Sequence, residues 1–108
     1  MSMEKQLLLF KIDEEKEDFE AIEIEDSPIH ALLDSNSIYI IVVPIDKEIL
    51  IWHGSNASIR MKFIATQKAP KIRDIYGVDC KILAVDEGDE SPKFKEIVGL
   101  ERKKLKFL

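Results

Sequence analysis

The sequence contains a single cysteine, four glycines, four prolines and one tryptophan in 108 residues. One cysteine, Cys80, excludes an internal disulfide and any zinc site built on several thiolates. No low-complexity segment, Gly- or Pro-rich linker or internal repeat interrupts the chain. No apolar run approaches the ~20 residues that a membrane-spanning helix needs. Gln6 to Phe10 is too short for the apolar region of a signal peptide and lacks a small-residue cleavage site after it. Positive charge is in the minority, with 16 Lys and Arg against 21 Asp and Glu for a net charge of −5. Such a chain is a poor general ligand for nucleic acid, whose phosphates are held by clustered Lys and Arg. What remains is 45% hydrophobic and 34% charged. That composition describes a globular domain with one modest core, expected to be cytoplasmic and without a cofactor.

Patterning divides the chain into strands first and helices second. Gln6 to Asp13 is a compact apolar run that reads as a strand buried on both faces. Glu14 to Asp18 is a polar turn, and Phe19 to Glu25 alternates as its hairpin partner. Asp26-Ser27-Pro28 breaks the strand, and Ile29 to Leu33 is an apolar turn or helical stub. Ile38 to Val43 (IYIIVV) is the most apolar stretch and the best central strand. Pro44 ends it, Asp46-Lys47 turns, and Glu48 to Trp52 returns as its partner.

From Ala57 the period lengthens toward 3.6. Met61, Ala65, Ala69, Ile72 and Tyr76 form one helical stripe, capped by Asn56 or Ser58 and stopped by Gly77. The two central alanines allow close packing on a sheet. Pro70 removes a helical N–H, so the spacing predicts a kink or a helix in two pieces. Asp79 to Val85 is a further strand with Cys80, Ile82 and Ala84 on one face. Ser91 and Pro92 then open a short helix over Lys93 to Val98, with Phe94, Ile97 and Val98 inward. The order β, β, β, β, long helix, β, short helix describes a sheet with helices packed on it.

Little in this pattern carries catalysis. His30 and His53 have no nucleophile and carboxylate in a recognisable local arrangement, and His53 reads as a strand-end surface residue. Gly54-Ser55-Asn56 lacks the Lys and second Gly of a phosphate loop and reads as a helix cap. Asp86-Glu87-Gly88-Asp89-Glu90 lacks the ligand spacing of a calcium loop and reads as a solvated acidic turn. Arg102, Lys103, Lys104 and Lys106 make a basic end, either a contact for an acidic or lipid surface or an ordinary packed terminus.

Three blocks together resemble the gelsolin repeat over about Leu33 to Gly99. The first is Ser37-Ile38-Tyr39-Ile40-Ile41, a tight turn, then Glu48 to Trp52 closing on the W-x-G of Trp52-His53-Gly54. The second is Ala65-Thr66-Gln67 with Ile72-Arg73-Asp74, and the third is Glu87-Gly88-Asp89-Glu90 with Phe94, similar to the family's E-G-x-E-x-x-x-F. The resemblance implies an α+β fold in residues 1–100: a mixed five-stranded sheet between one long helix and one short C-terminal helix, with 101–108 as a basic end.

It also implies actin as partner, met through the long helix or its rim, in a cytoskeletal module that sequesters monomers or caps or lines filaments. Severing in this family takes more than one repeat. The family's calcium site uses a Gly-Asp pair before the central strand and a Glu on the long helix, positions held here by Asn36, Ser37 and Met61. That site is therefore expected to be lost and binding to be calcium-independent. Asp74 is the nearest candidate for a calcium shared with actin.

With the stripe against the sheet, Phe63, Gln67, Pro70, Lys71 and Asp74 point toward solvent as the candidate partner-binding face. The plainer reading tucks Phe63 against the sheet edge and leaves Pro70 only bending the helix. Two other roles stay open: a structural or adaptor domain binding another protein, and phosphoinositide sensing through the basic end.

Overall fold

A computed structural model describes residues 6–24 and 28–99. The chain forms β1 (Leu8–Asp13), β2 (Asp18–Ile22), β3 (Ile38–Val43), β4 (Glu48–His53), α1 (Ile59–Tyr76), β5 (Lys81–Asp86) and α2 (Pro92–Ile97). These make one five-stranded sheet in the order β2-β1-β3-β4-β5. The first four strands pair antiparallel, while β5 lies parallel to β4. A parallel neighbour needs a long crossover, and α1 supplies it. The mixed sheet with one long and one short helix is the architecture expected from the sequence.

β3 occupies the centre, and all six of its residues are buried. The strand period of two divides them between two cores. Ile38, Ile40 and Val42 join Phe10, Ile49 and Ile51 beneath Ile64, Ala65, Ala69 and Ile72 of α1. Tyr39, Ile41 and Val43 join Leu9, Leu50 and Trp52 beneath Phe94 and Val98. Having helices on both faces is why this strand reads as a continuous apolar run and not as an alternation.

Short-range chemistry sets the element ends. Lys16 N donates to Asp13 Oδ1 at 3.1 Å in the β1–β2 turn, where Glu17 adopts a left-handed φ of 53°. A 3₁₀ turn over Pro44–Asp46 and a left-handed Lys47 join β3 to β4. Ser58, not Asn56, caps α1: its hydroxyl accepts from Met61 N at 3.0 Å. Ser91 caps α2 in the same way, accepting from Phe94 N at 3.1 Å, with Pro92 in the first helical position.

Several readings change in the structure. α1 is a single helix of 18 residues with Pro70 inside it, not two pieces. The carbonyl that Pro70 leaves without its helical donor is that of Thr66, an exposed residue, so water can take the missing bond. The buried stripe includes Ile64, and Tyr76 at its far end is 47% exposed, its ring 5.3 Å from that of Phe10. On β5, Cys80 precedes the strand and is buried and Ile82 packs partly, but Ala84 is exposed, because among the described residues no strand lies beyond this edge. Glu25, Asp26, Ser27 and the basic end at 101–108 lie outside the described residues.

Candidate functional site

α1 presents the candidate face. Phe63, Gln67, Pro70, Lys71 and Asp74 follow one another at offsets of 4, 7, 8 and 11, which places them on one stripe opposite Ala65, Ala69 and Ile72. Gln67, Lys71 and Asp74 are exposed and Pro70 is half-buried. Phe63 is 62% exposed, so it stands outward and is not tucked under the sheet edge. Ile59, one turn earlier, is 84% exposed and extends the apolar part of the stripe. Its i−4 relation to Phe63 is the signal that could have found it in the sequence.

Ion pairs tie this helix to the β1–β2 hairpin. Arg60 pairs with Glu17, and Lys68 Nζ lies 3.7 Å from Asp18. At its other end, Ile75, Tyr76 and Val78 form a second exposed apolar group. Tyr76 closes the core stripe there, whereas Ile75 and Val78 fall outside it.

The start of α1 is positioned by a hydrogen-bonded clasp between two loops. Ser55 N donates to Glu87 Oε1 at 2.7 Å, and Ser35 Oγ donates to Glu87 Oε2 at 2.8 Å. Trp52 Nε1 donates to Glu90 Oε2 at 2.9 Å, while Gly88 N donates to Glu90 Oε1 at 2.9 Å. His53 Nδ1 lies 3.0 Å from Asp86 Oδ1. The acidic turn is therefore not simply solvated, because Glu87 holds the loop that leads into α1 and Glu90 holds the Trp52 indole at the end of β4.

The same bonds set the protonation of these acids. Donation from the Ser55 N–H, then from the Ser35 hydroxyl, holds Glu87 below the usual glutamate range. Burial pushes Glu90 up, but donation from the Trp52 indole and the turn amides outweighs it, and the net direction is down.

Gly54 belongs to this clasp for steric reasons. Its N–H donates to Ser37 O at 3.0 Å, and Asn56 N donates to Ser35 O at 2.8 Å. A Cβ on Gly54 would lie 2.3 Å from Ser35 O and 2.6 Å from Ser37 O, so only glycine lets the two backbones approach this closely.

No protein-family model matches the chain, and no curated protein does. Among solved structures, the chain is similar to Thorarchaeota ProGel, crystallised in complex with rabbit actin. The TM-score is 0.73 at 22% identity, covering 87% of this chain and 100% of that one. The fold is gelsolin-like. Thorarchaeota 2DGel3, also crystallised in complex with rabbit actin, matches with a TM-score of 0.66 at 20% identity over 90% of this chain. There the match spans 47% of the longer chain.

In this gelsolin-like fold the motif blocks that are distant in sequence touch in space. The Trp52 and Gly54 of W-x-G are held by the Glu90 and Ser37 regions, and Glu87 of E-G-x-E closes over Ser55. The three positions that the resemblance assigns to calcium carry no carboxylate. Asn36 is exposed, its N–H donating to Asp34 Oδ1 at 2.9 Å. Ser37 is 6% exposed, its N–H donating to Asp34 O and its carbonyl accepting from Gly54 N. Met61 packs partly against the core, and a thioether is no ligand for a hard cation. Asp74 contributes one exposed carboxylate, and among the described residues no group of three His, Cys, Asp or Glu could hold a metal. No helix of the described residues is long and apolar enough to cross a membrane.

Proposed function

We propose that this chain is a cytoplasmic actin-binding module that acts by binding and not by catalysis. The observation that carries the reading is the fold shared with the whole length of ProGel, a protein crystallised with rabbit actin. The outward stripe of α1 supports it with a surface suited to a partner. Phe63 is the apolar anchor, and Gln67, Lys71 and Asp74 form its polar rim, with the half-buried Pro70 between them. Residues 1–100 make up the module, and 101–108 are appended to it.

One such face engages one actin subunit, so a single copy sequesters monomers or covers a filament end or side. Binding does not require an intradomain calcium on this reading, because Met61 offers no oxygen and Asn36 and Ser37 offer no carboxylate to balance the ion's charge.

The test is pyrene-actin assembly with added protein, run in calcium and again in chelator. The same inhibition or acceleration in both conditions is the expected result. A strict calcium requirement would contradict the reading of Asn36, Ser37 and Met61, and would turn attention to Asp74. No effect in either condition, with no co-sedimentation on filaments, would overturn actin binding and favour an adaptor role.

A further inference from the structure

We infer that the free edge of β5 is a self-association edge that pairs antiparallel with β5 of a second copy. Among the described residues, β5 is a terminal strand of the sheet, hydrogen-bonded only to β4. Lys81 N donates to Lys47 O and Glu87 N donates to His53 O, both at 2.9 Å. The odd-numbered residues therefore point their backbone groups toward β4, and Ile82, Ala84 and Asp86 point theirs outward. Unpaired rows of this kind are templates for another strand.

Symmetry then selects the register. A closed pair of identical antiparallel edges has its two-fold axis perpendicular to the sheet, passing midway between one residue and the same residue of the copy. Placing Ala84 on that axis sets Ile82 opposite Asp86 of the copy, and every outward backbone group of the edge gains a partner. No other register uses all three residues. It also sets Leu83, 37% exposed, opposite Val85 of the copy. These two border a groove of about 380 Å³ with a mixed lining, Leu50, Phe94 and Ile97 on its apolar side and Glu48, Asp89 and Lys93 on its charged side.

Charge favours a second copy as the occupant. β5 begins with Lys81 and runs into the acidic turn Asp86-Glu87-Gly88-Asp89-Glu90. Antiparallel pairing brings each Lys81 to the acidic turn of the other copy, twice per dimer. The opposite edge of the sheet lacks this complementarity: β2 carries Asp18 and Glu20, followed by Glu23, and would repel itself. The pairing places the α1 helices of both copies on the same side of a joined sheet. On the actin-binding reading proposed above, the pair would present two such faces.

Sedimentation velocity of the full chain without actin tests the pairing independently of that reading. An interface below ~1,000 Å² belongs to the weak class, so the range runs from about 10 µM to about 1 mM. The expected result is a concentration-dependent dimer. Ala84→Pro removes the central outward donors, and Ala84→Lys places like charges face to face on the axis. Each is expected to weaken association at least tenfold while leaving the far-UV circular dichroism unchanged. If Ala84→Pro does not fold, Ala84→Lys at this exposed position carries the test. Ala21→Lys on β2 is expected to leave the dimer intact. A native chain that stays monomeric throughout, a dimer insensitive to Ala84→Lys, or one lost in Ala21→Lys would overturn the inference.

Discussion

Replacing Gly54 by alanine tests whether the clasp at the start of α1 depends on close backbone approach. The added Cβ would sit 2.3 Å from Ser35 O and 2.6 Å from Ser37 O. Ordinary contact needs about 3.5 Å, so one backbone must move by roughly 1 Å. That movement strains the Gly54 N to Ser37 O bond at 3.0 Å and the Asn56 N to Ser35 O bond at 2.8 Å. Losing both removes about 1–3 kcal/mol at 0.5–1.5 kcal/mol net per bond. Residual strain adds on the order of 1 kcal/mol, for a total of about 2–4 kcal/mol. For a domain near this size that corresponds to a Tm lower by about 10–20 °C, read by circular dichroism with urea unfolding as the check. Gly88→Ala serves as the control. Nothing lies within 4 Å of a Cβ there, and the only cost is a φ of +94°, so its loss should be about 1–2 kcal/mol. A Gly54→Ala variant melting within about 3 °C of the native chain would refute the steric argument.

Further outcomes follow from the same geometry. Glu87 and Glu90 both have folded pKa values below their unfolded ones, so the unfolded chain binds more protons as pH falls. Their stabilisation is full above the unfolded glutamate value of about 4.3 and is lost as pH drops through the lower folded values. Urea midpoints measured across acidic pH should show that fall, and Glu87→Gln with Glu90→Gln should flatten it. Pro70→Ala should raise stability by about 1–3 kcal/mol, because it restores a donor to the Thr66 carbonyl in an unbroken helix; an unchanged or lower Tm would contradict this. Calcium at about 1 mM should leave the Tm of the isolated chain unchanged, since a ligand that does not bind the folded state cannot stabilise it. A rise of several degrees would mean that an ion is held by this chain alone.

The strands were legible because β1 and β3 bury residues on both faces, whereas β2 at the sheet edge only needs to alternate. Ser58 was one of two candidate caps, since only the backbone path decides between neighbouring polar residues. Of the two outcomes that Pro70 suggested, a kink or a break, the break does not occur, because the helix is held by Ala65, Ala69 and Ile72 against the sheet. The clasp was invisible as a clasp. Glu87 and Glu90 look like surface acids until the fold brings Trp52, Ser35 and Ser55 to them over separations of 32 to 52 residues. Phe63 could be placed on the outer stripe from its spacing, but whether it stood clear of the sheet edge depended on how α1 sits.

The central claim is that α1 meets actin through its outward face. Calorimetric titration of monomeric actin in chelator, with the native chain and with Phe63→Ala, tests it most directly. The account predicts saturable binding by the native chain, and a loss of about tenfold or more in Phe63→Ala at unchanged Tm, as for a central apolar anchor. Native-like affinity in Phe63→Ala, or no binding by the native chain, would contradict it.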